Sequence, residues 1–184
     1  VSSPLTTPSK HLVFPAGRVG LDQRETLYLA NSQSRDAIVE VAVLFDGDDL
    51  LEPQEVTVPA NSVFPYALAD IIPAGSQYAI VVRSQNNIPI FANKLVFSGR
   101  GSSLEEPIVL QVPDWIVSPL SVTETSIDTV VVVNSGTELA NVTVELHSRG
   151  VVERLESIKI PPASRAVVGA DLHQRFGLGF AAIG

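Results

Sequence analysis

Apolar and polar positions alternate with a period of two along much of this chain. Val39, Val41, Val43 and Phe45 alternate with Glu40, Ala42 and Leu44, and Val142, Val144 and Leu146 alternate with Thr143, Glu145 and His147. That period is the one expected of a strand with one buried face. The runs 27–30 and 130–133 are continuously apolar, as in a strand inside a sandwich. Further strands are predicted at 55–58, 63–68, 78–83, 88–96 and 108–112, with Pro, Gly and Asn between them. Strands recurring every eight to twelve residues or so indicate an all-β sandwich or barrel. No window sustains an amphipathic helix, and 69–72 and 170–175 are expected to form single turns at most.

The pattern occurs twice. Thr26-Leu27-Tyr28-Leu29-Ala30-Asn31-Ser32 aligns with Thr129-Val130-Val131-Val132-Val133-Asn134-Ser135 at an offset of 103, and the register runs on through Ala37–Val43 over Ala140–Leu146 to Gly47 over Gly150. Val58-Pro59-Ala60-Asn61-Ser62 then meets Ile160-Pro161-Pro162-Ala163-Ser164 at an offset of 102, and Asp70 meets Asp171 at 101. Two one-residue deletions in loops account for the drift, so the chain is read as a duplication. The expected organisation is a Ser/Thr/Pro linker over 1–9, a first sandwich over 10–98, a linker with an opening strand over 99–113, and a second sandwich over 114–184. Phe180-Ala181-Ala182-Ile183 is matched to Tyr78-Ala79-Ile80-Val81. On that match the second copy lacks the closing strand that Ile88-Pro89-Ile90-Phe91-Ala92 supplies to the first. An edge left open in this way invites pairing with another segment or chain.

Composition narrows the function classes. The net charge of −8, with 12 scattered basic residues, argues against nucleic acid, which is held by clustered Lys and Arg. The chain has no cysteine, so disulfides, thiolate nucleophiles and zinc–thiolate sites are excluded. No apolar run approaches the ~20 residues that span a bilayer as a helix. The first residue is Val1, and any export signal is expected upstream of it.

Candidate chemistry is sparse. Asp46-Gly47-Asp48-Asp49, with Glu52 and Glu55 nearby, is the most site-like acidic cluster. As a calcium loop it lacks Gly at the sixth position and Glu at the twelfth, where Leu51 and Thr57 stand. It is read as a solvated hairpin turn, with no metal expected. His11, His147 and His173 form no nucleophile–base arrangement, and no Gly-x-Ser-x-Gly turn occurs. No catalytic, cofactor-binding or metal-binding residue is assigned, and no enzyme activity is expected. Asp70 and Asp171 are expected to cap turns, and Asn31 and Asn134 to satisfy backbone groups at strand ends. Trp115 with Tyr28, Tyr66 and Tyr78 could form a sugar-stacking platform, but Trp115 aligns near residues 12–14 and is expected to be buried at the domain junction. The sequon Asn141-Val142-Thr143 lies mid-strand and is read as incidental.

The succession of an aliphatic run ending in Asn31, an alternating strand, Val58-Pro59-Ala60-Asn61-Ser62, Asp70, Val82-Arg83-Ser84 and Ile88-Pro89-Ile90-Phe91-Ala92 resembles a known repeat family. These are the immunoglobulin-like repeats of exported, envelope-associated proteins in actinobacteria and other Gram-positive bacteria. The resemblance covers about residues 12–97, and 115 to the end more loosely. The second copy departs from it at Pro162-Ala163-Ser164 and in the missing last strand. Since family members carry no assigned catalytic activity, the resemblance implies a bacterial, extracytoplasmic setting and two tandem immunoglobulin-like antiparallel sandwiches. The expected role is a non-catalytic structural or protein-interaction module of an exported or cell-envelope protein. The alternative is a module that binds carbohydrate or envelope polysaccharide. Partners are expected to be protein or envelope polymer, with no nucleic acid and no membrane insertion in this segment.

Overall fold

The computed structural model describes residues 7–20, 22–46, 51–109, 115–123, 126–127, 130–148, 151–154, 157–168 and 178–183, with the backbone alone for 115–127, 146–148, 153 and 178–183. The chain is all-β and divides into two compact units, Val1–Leu110 and Gln111–Gly184.

In the first unit, β1 (His11–Arg18), β2 (Gln23–Asn31), β3 (Ala37–Leu44), β4 (Gln54–Val58) and β5 (Ser62–Ala67) lead to a 3-10 turn at Leu68–Asp70. The chain continues through β6 (Gln77–Ser84), β7 (Phe91–Ser98) and β8 (Gly101–Glu105). Two four-stranded antiparallel sheets result, ordered β1-β6-β3-β4 and β5-β2-β7-β8. They share one core: Leu27 and Leu29 from the second sheet pack with Phe14, Val39, Val41, Ile80 and Val82 from the first. This is a β-sandwich whose inward positions are chiefly aliphatic, as a pleated, half-buried surface favours.

Several sequence expectations shift. The expected linker at 99–103 is largely β8, which pairs with β7 from Ser98↔Gly101 to Lys94↔Glu105. The strand expected over 108–112 meets the first unit at one point, where Val13 N donates to Ile108 O (3.0 Å) and Ile108 N to Val13 O (2.7 Å); 110–112 lie outside the described residues. The strand expected over 88–96 starts at Phe91. Ile88 and Ile90 are buried before it, and Ile90 bridges Ser9 at the end of the expected N-terminal linker. β1 was not among the expected strands. Pro15 interrupts its pattern, and the strand absorbs that proline at a sheet edge with a register shift between Phe14 and Gly17, where a missing N–H breaks no ladder bond. In β3 the alternation fails towards its end, because Ala42 and Leu44 are buried as well as Val41 and Val43.

The second unit contains β9 (Trp115–Thr123), β10 (Ser126–Ile127), β11 (Val130–Asn134), β12 (Ala140–Val142), β13 (Val144–Ser148), β14 (Val151–Arg154), β15 (Ile158–Ile160), β16 (Ser164–Val168) and β17 (Leu178–Ile183). A five-stranded sheet runs β10-β9-β17-β13-β14, and β11 pairs with β16 and β12 with β15. Val130, Val142, Val144, Ile160 and Val168 form its core.

Strand registers carry the duplication into three dimensions. Asn31↔Ser62 and Ala37↔Val58 in the first unit have the counterparts Asn134↔Ser164 and Ala140↔Ile160 in the second. One sequence match moves by a residue. Val41 pairs with Val82, and its counterpart Val144 pairs with Ile183, so Ile183 stands in the place of Val82 rather than of Val81. The position of Tyr78 then falls on Gly179. Among the described residues β11 pairs only with β16, whereas its counterpart β2 is flanked by both β5 and β7.

Candidate functional site

The most concentrated chemistry lies inside the first sandwich. Glu25 of β2 and Lys94 of β7 occupy inward positions beside the apolar inward residues Leu27, Leu29, Ala92 and Val96. The Lys94 ammonium is fully buried and has three acceptors: the Glu25 carboxylate at 2.9 Å, the Glu105 carboxylate at 3.0 Å, and the Ala16 carbonyl. Glu25 Oε2 also accepts a 2.5 Å bond from the Tyr78 hydroxyl, while Oε1 accepts from the Arg18 N–H (2.9 Å) and Gln23 Nε2 (2.7 Å). Lys94 lies 5.7 Å from the centre of the Tyr78 ring.

This network joins the two sheets. Glu25, Lys94 and Glu105 come from β2, β7 and β8, whereas Ala16, Arg18 and Tyr78 come from β1 and β6. The ring of Tyr78 reaches the cluster only because Gly17 has no side chain; a Cβ there would lie 2.4 Å from the ring. Burial raises the Tyr78 pKa far above its ordinary value, and the hydrogen bond to Glu25 and the charges of Glu25 and Glu105 push it further up. The group therefore stays a neutral phenol and donates. Each of the three ammonium protons has an acceptor and Glu25 accepts four bonds, so the arrangement works as an internal clamp. Sequence reading missed it. The available signal was a pair of opposite charges, Glu25 and Lys94, both in the inward phase of apolar strands.

A second constellation, the asparagine pair, behaves as expected and is duplicated. Asn31 Nδ2 donates to Arg35 O (2.8 Å) and Val58 O (3.0 Å), and its Oδ1 accepts from Gln33 N (2.9 Å). Asn134 repeats each bond, to Glu138 O (2.8 Å), Ile160 O (3.0 Å) and from Gly136 N (3.0 Å), and adds Pro161 O at 3.0 Å. The neighbouring turn also repeats: Ser62 Oγ donates to Pro59 O (2.7 Å) and Ser164 Oγ to Pro161 O (2.9 Å). Asn61 and Ala163 hold that turn at φ 52° and 49°. Asparagine occupies this left-handed region at lower cost than alanine. Ala163→Asn should therefore stabilise the second unit by about 0.5–1 kcal/mol, since alanine carries an αL penalty of order 1–2 kcal/mol. Denaturant titration checks this; an unchanged midpoint would contradict it.

The other sequence candidates do not converge. Asp70 is exposed, and the turn it was expected to cap is closed by backbone, with Ile71 N and Ile72 N donating to Leu68 O. Tyr78, one of the rings considered for a sugar platform, is fully buried, and Tyr66 packs half-buried against the core. Burial, and then the Arg83 guanidinium, lower the His11 pKa and favour the neutral imidazole. Gly47, Asp48, Asp49, Asp171 and His173 lie outside the described residues, as do the side chains of Trp115 and His147. Asn141 of the sequon is exposed on β12. Among the described residues no cluster of His, Asp and Glu is placed to hold a metal, and no helix is long and apolar enough to cross a membrane.

No family model and no curated protein matches the chain. Among solved structures it is similar to Thermotoga maritima 1070, with 18% identity and a TM-score of 0.49 over 56% of this chain and 96% of that one. It is also similar to the Anabaena sensory rhodopsin transducer, with 23% identity and a TM-score of 0.43 over 50% of this chain and 91% of that one.

Proposed function

We propose that the chain is a non-catalytic structural or protein-interaction module of an exported or cell-envelope bacterial protein, and that β11 of its second unit accepts a further β-strand, from a later segment of the protein or from another chain. One observation carries the reading: β2 is flanked by strands on both sides, whereas β11, its counterpart, is flanked by β16 alone among the described residues. An edge with unpaired N–H and C=O groups is a template for strand addition, in which main-chain bonds give affinity and alternate side chains give specificity. The first unit supplies the pattern of the acceptable strand: β7 runs antiparallel to β2 with Ala92 opposite Leu29 and Lys94 opposite Leu27. The non-catalytic part of the reading is supported by the clamp around Lys94, whose polar groups bond one another. The extracytoplasmic setting rests on the resemblance to immunoglobulin-like envelope repeats.

The test is a peptide carrying residues 88–97 with Lys94→Leu, so that no lone cation enters the second core. Adding it to the intact chain should slow amide exchange at Val130–Asn134 and raise the melting temperature of the second unit. Unchanged protection at those amides in saturating peptide would overturn strand acceptance at β11.

A further inference from the structure

The sheet β5-β2-β7-β8 has a second face, turned away from the core. Its inward residues, Glu25, Leu27, Leu29, Ala92 and Val96 among them, are buried, so the residues between them point outward. That outward set includes Val63, Phe91, Leu95, Phe97 and Leu104. Val63, Phe97 and Leu104 are 62%, 49% and 56% exposed. Register places these side chains together: Phe91 stands opposite Ala30, which is itself opposite Val63, and Leu95 stands opposite Leu104. Arg24 is the single ionic side chain at an outward position of these four strands. Isolated exposed apolar residues are ordinary, but a contiguous uncharged sheet face marks a contact surface.

From this placement we infer that the outer face of β5-β2-β7-β8 is a self-association surface on which a second copy of the chain docks, sheet against sheet. Two features select a second copy. Each chain carries a net charge of −8, so like copies repel except through a neutral face, and this face is neutral save for Arg24. The 28 residues of its four strands offer about 440 Å² in projection, taking about 4.8 Å per strand and 3.3 Å per residue. Two such faces bury about 900 Å² together, the size of a weak, reversible contact. Packing of identical faces about a two-fold axis is closed and self-complementary. This surface belongs to the first unit and is independent of strand acceptance at β11.

Sedimentation velocity on the intact chain tests it. At about 100 μM, well above the Kd of a micromolar contact, the parent should sediment at twice its 19.6 kDa mass. The double variant Phe97→Asp, Leu104→Lys should sediment as a monomer with an unchanged melting temperature, because both side chains are exposed. A monomeric parent at that concentration, or a double variant that still dimerises, would overturn the inference. A dimer dispersed by the strand peptide but not by the double variant would place the contact at β11 and would likewise overturn it.

Discussion

Lys94→Ala should lower the stability of the first unit by about 3–5 kcal/mol, the cost of breaking a buried ion pair from one side. The substitution leaves the Glu25 carboxylate buried beside the Tyr78 hydroxyl without its cation, and leaves the Ala16 carbonyl without its donor. A domain of this size has only about 5–15 kcal/mol in total, so the loss should appear as a large fall in denaturant midpoint confined to one of two transitions. A midpoint within experimental error of the parent would mean that the clamp contributes nothing. Tyr78 adds a pH signature. Its folded pKa is raised above the ordinary value of 10.0, so its contribution is fully present below pH 10 and is lost as pH rises and the unfolded tyrosine ionises. Parent stability should therefore fall above pH 10 by up to about 1.4 kcal/mol per pH unit more than that of Tyr78→Phe. Equal slopes would contradict the buried, neutral phenol.

Val41→Asp and Val144→Asp should each cost at least about 3 kcal/mol, because each places a carboxylate in an apolar core with no partner. Val41 is 1% exposed within the first core and Val144 is fully buried within the second. Each unit has its own core, so each substitution should abolish a different melting transition. Should either variant melt within a degree or two of the parent, the inward phase assigned to that strand would be wrong.

The sequence revealed what depends on local periodicity and missed what depends on contacts between distant strands. Val41 and Val144 could be placed because β-strands alternate and the alternation was visible on both sides of them. Asn31 and Asn134 could be assigned because a short amide side chain ending an apolar strand has few other uses, and it occurs twice. The Lys94 clamp was hidden because the bonds that close it, from Tyr78 to Glu25 and from Lys94 to Ala16, span 53 and 78 residues, and its charges look ordinary singly. β8 was hidden because Gly101, Ser102 and Ser103 have the composition of a linker; pairing with β7 makes them a strand despite their propensity. β1 was hidden by Pro15. The one-residue error over 180–183 arose from aligning similar side chains, Phe180 with Tyr78, where the backbone ladder aligns Gly179.

The clamp also restricts how the first unit can misassemble. Sliding β7 by one residue along β2 would turn Lys94 to the outer face and Phe97 into the core, stranding Glu25 inside. A sheet slipped by one residue would thus begin with an ion-pairing debt that the correct one does not carry. In the second unit Gly179 stands in the place of Tyr78, so the tyrosine bond to the clamp is not repeated there.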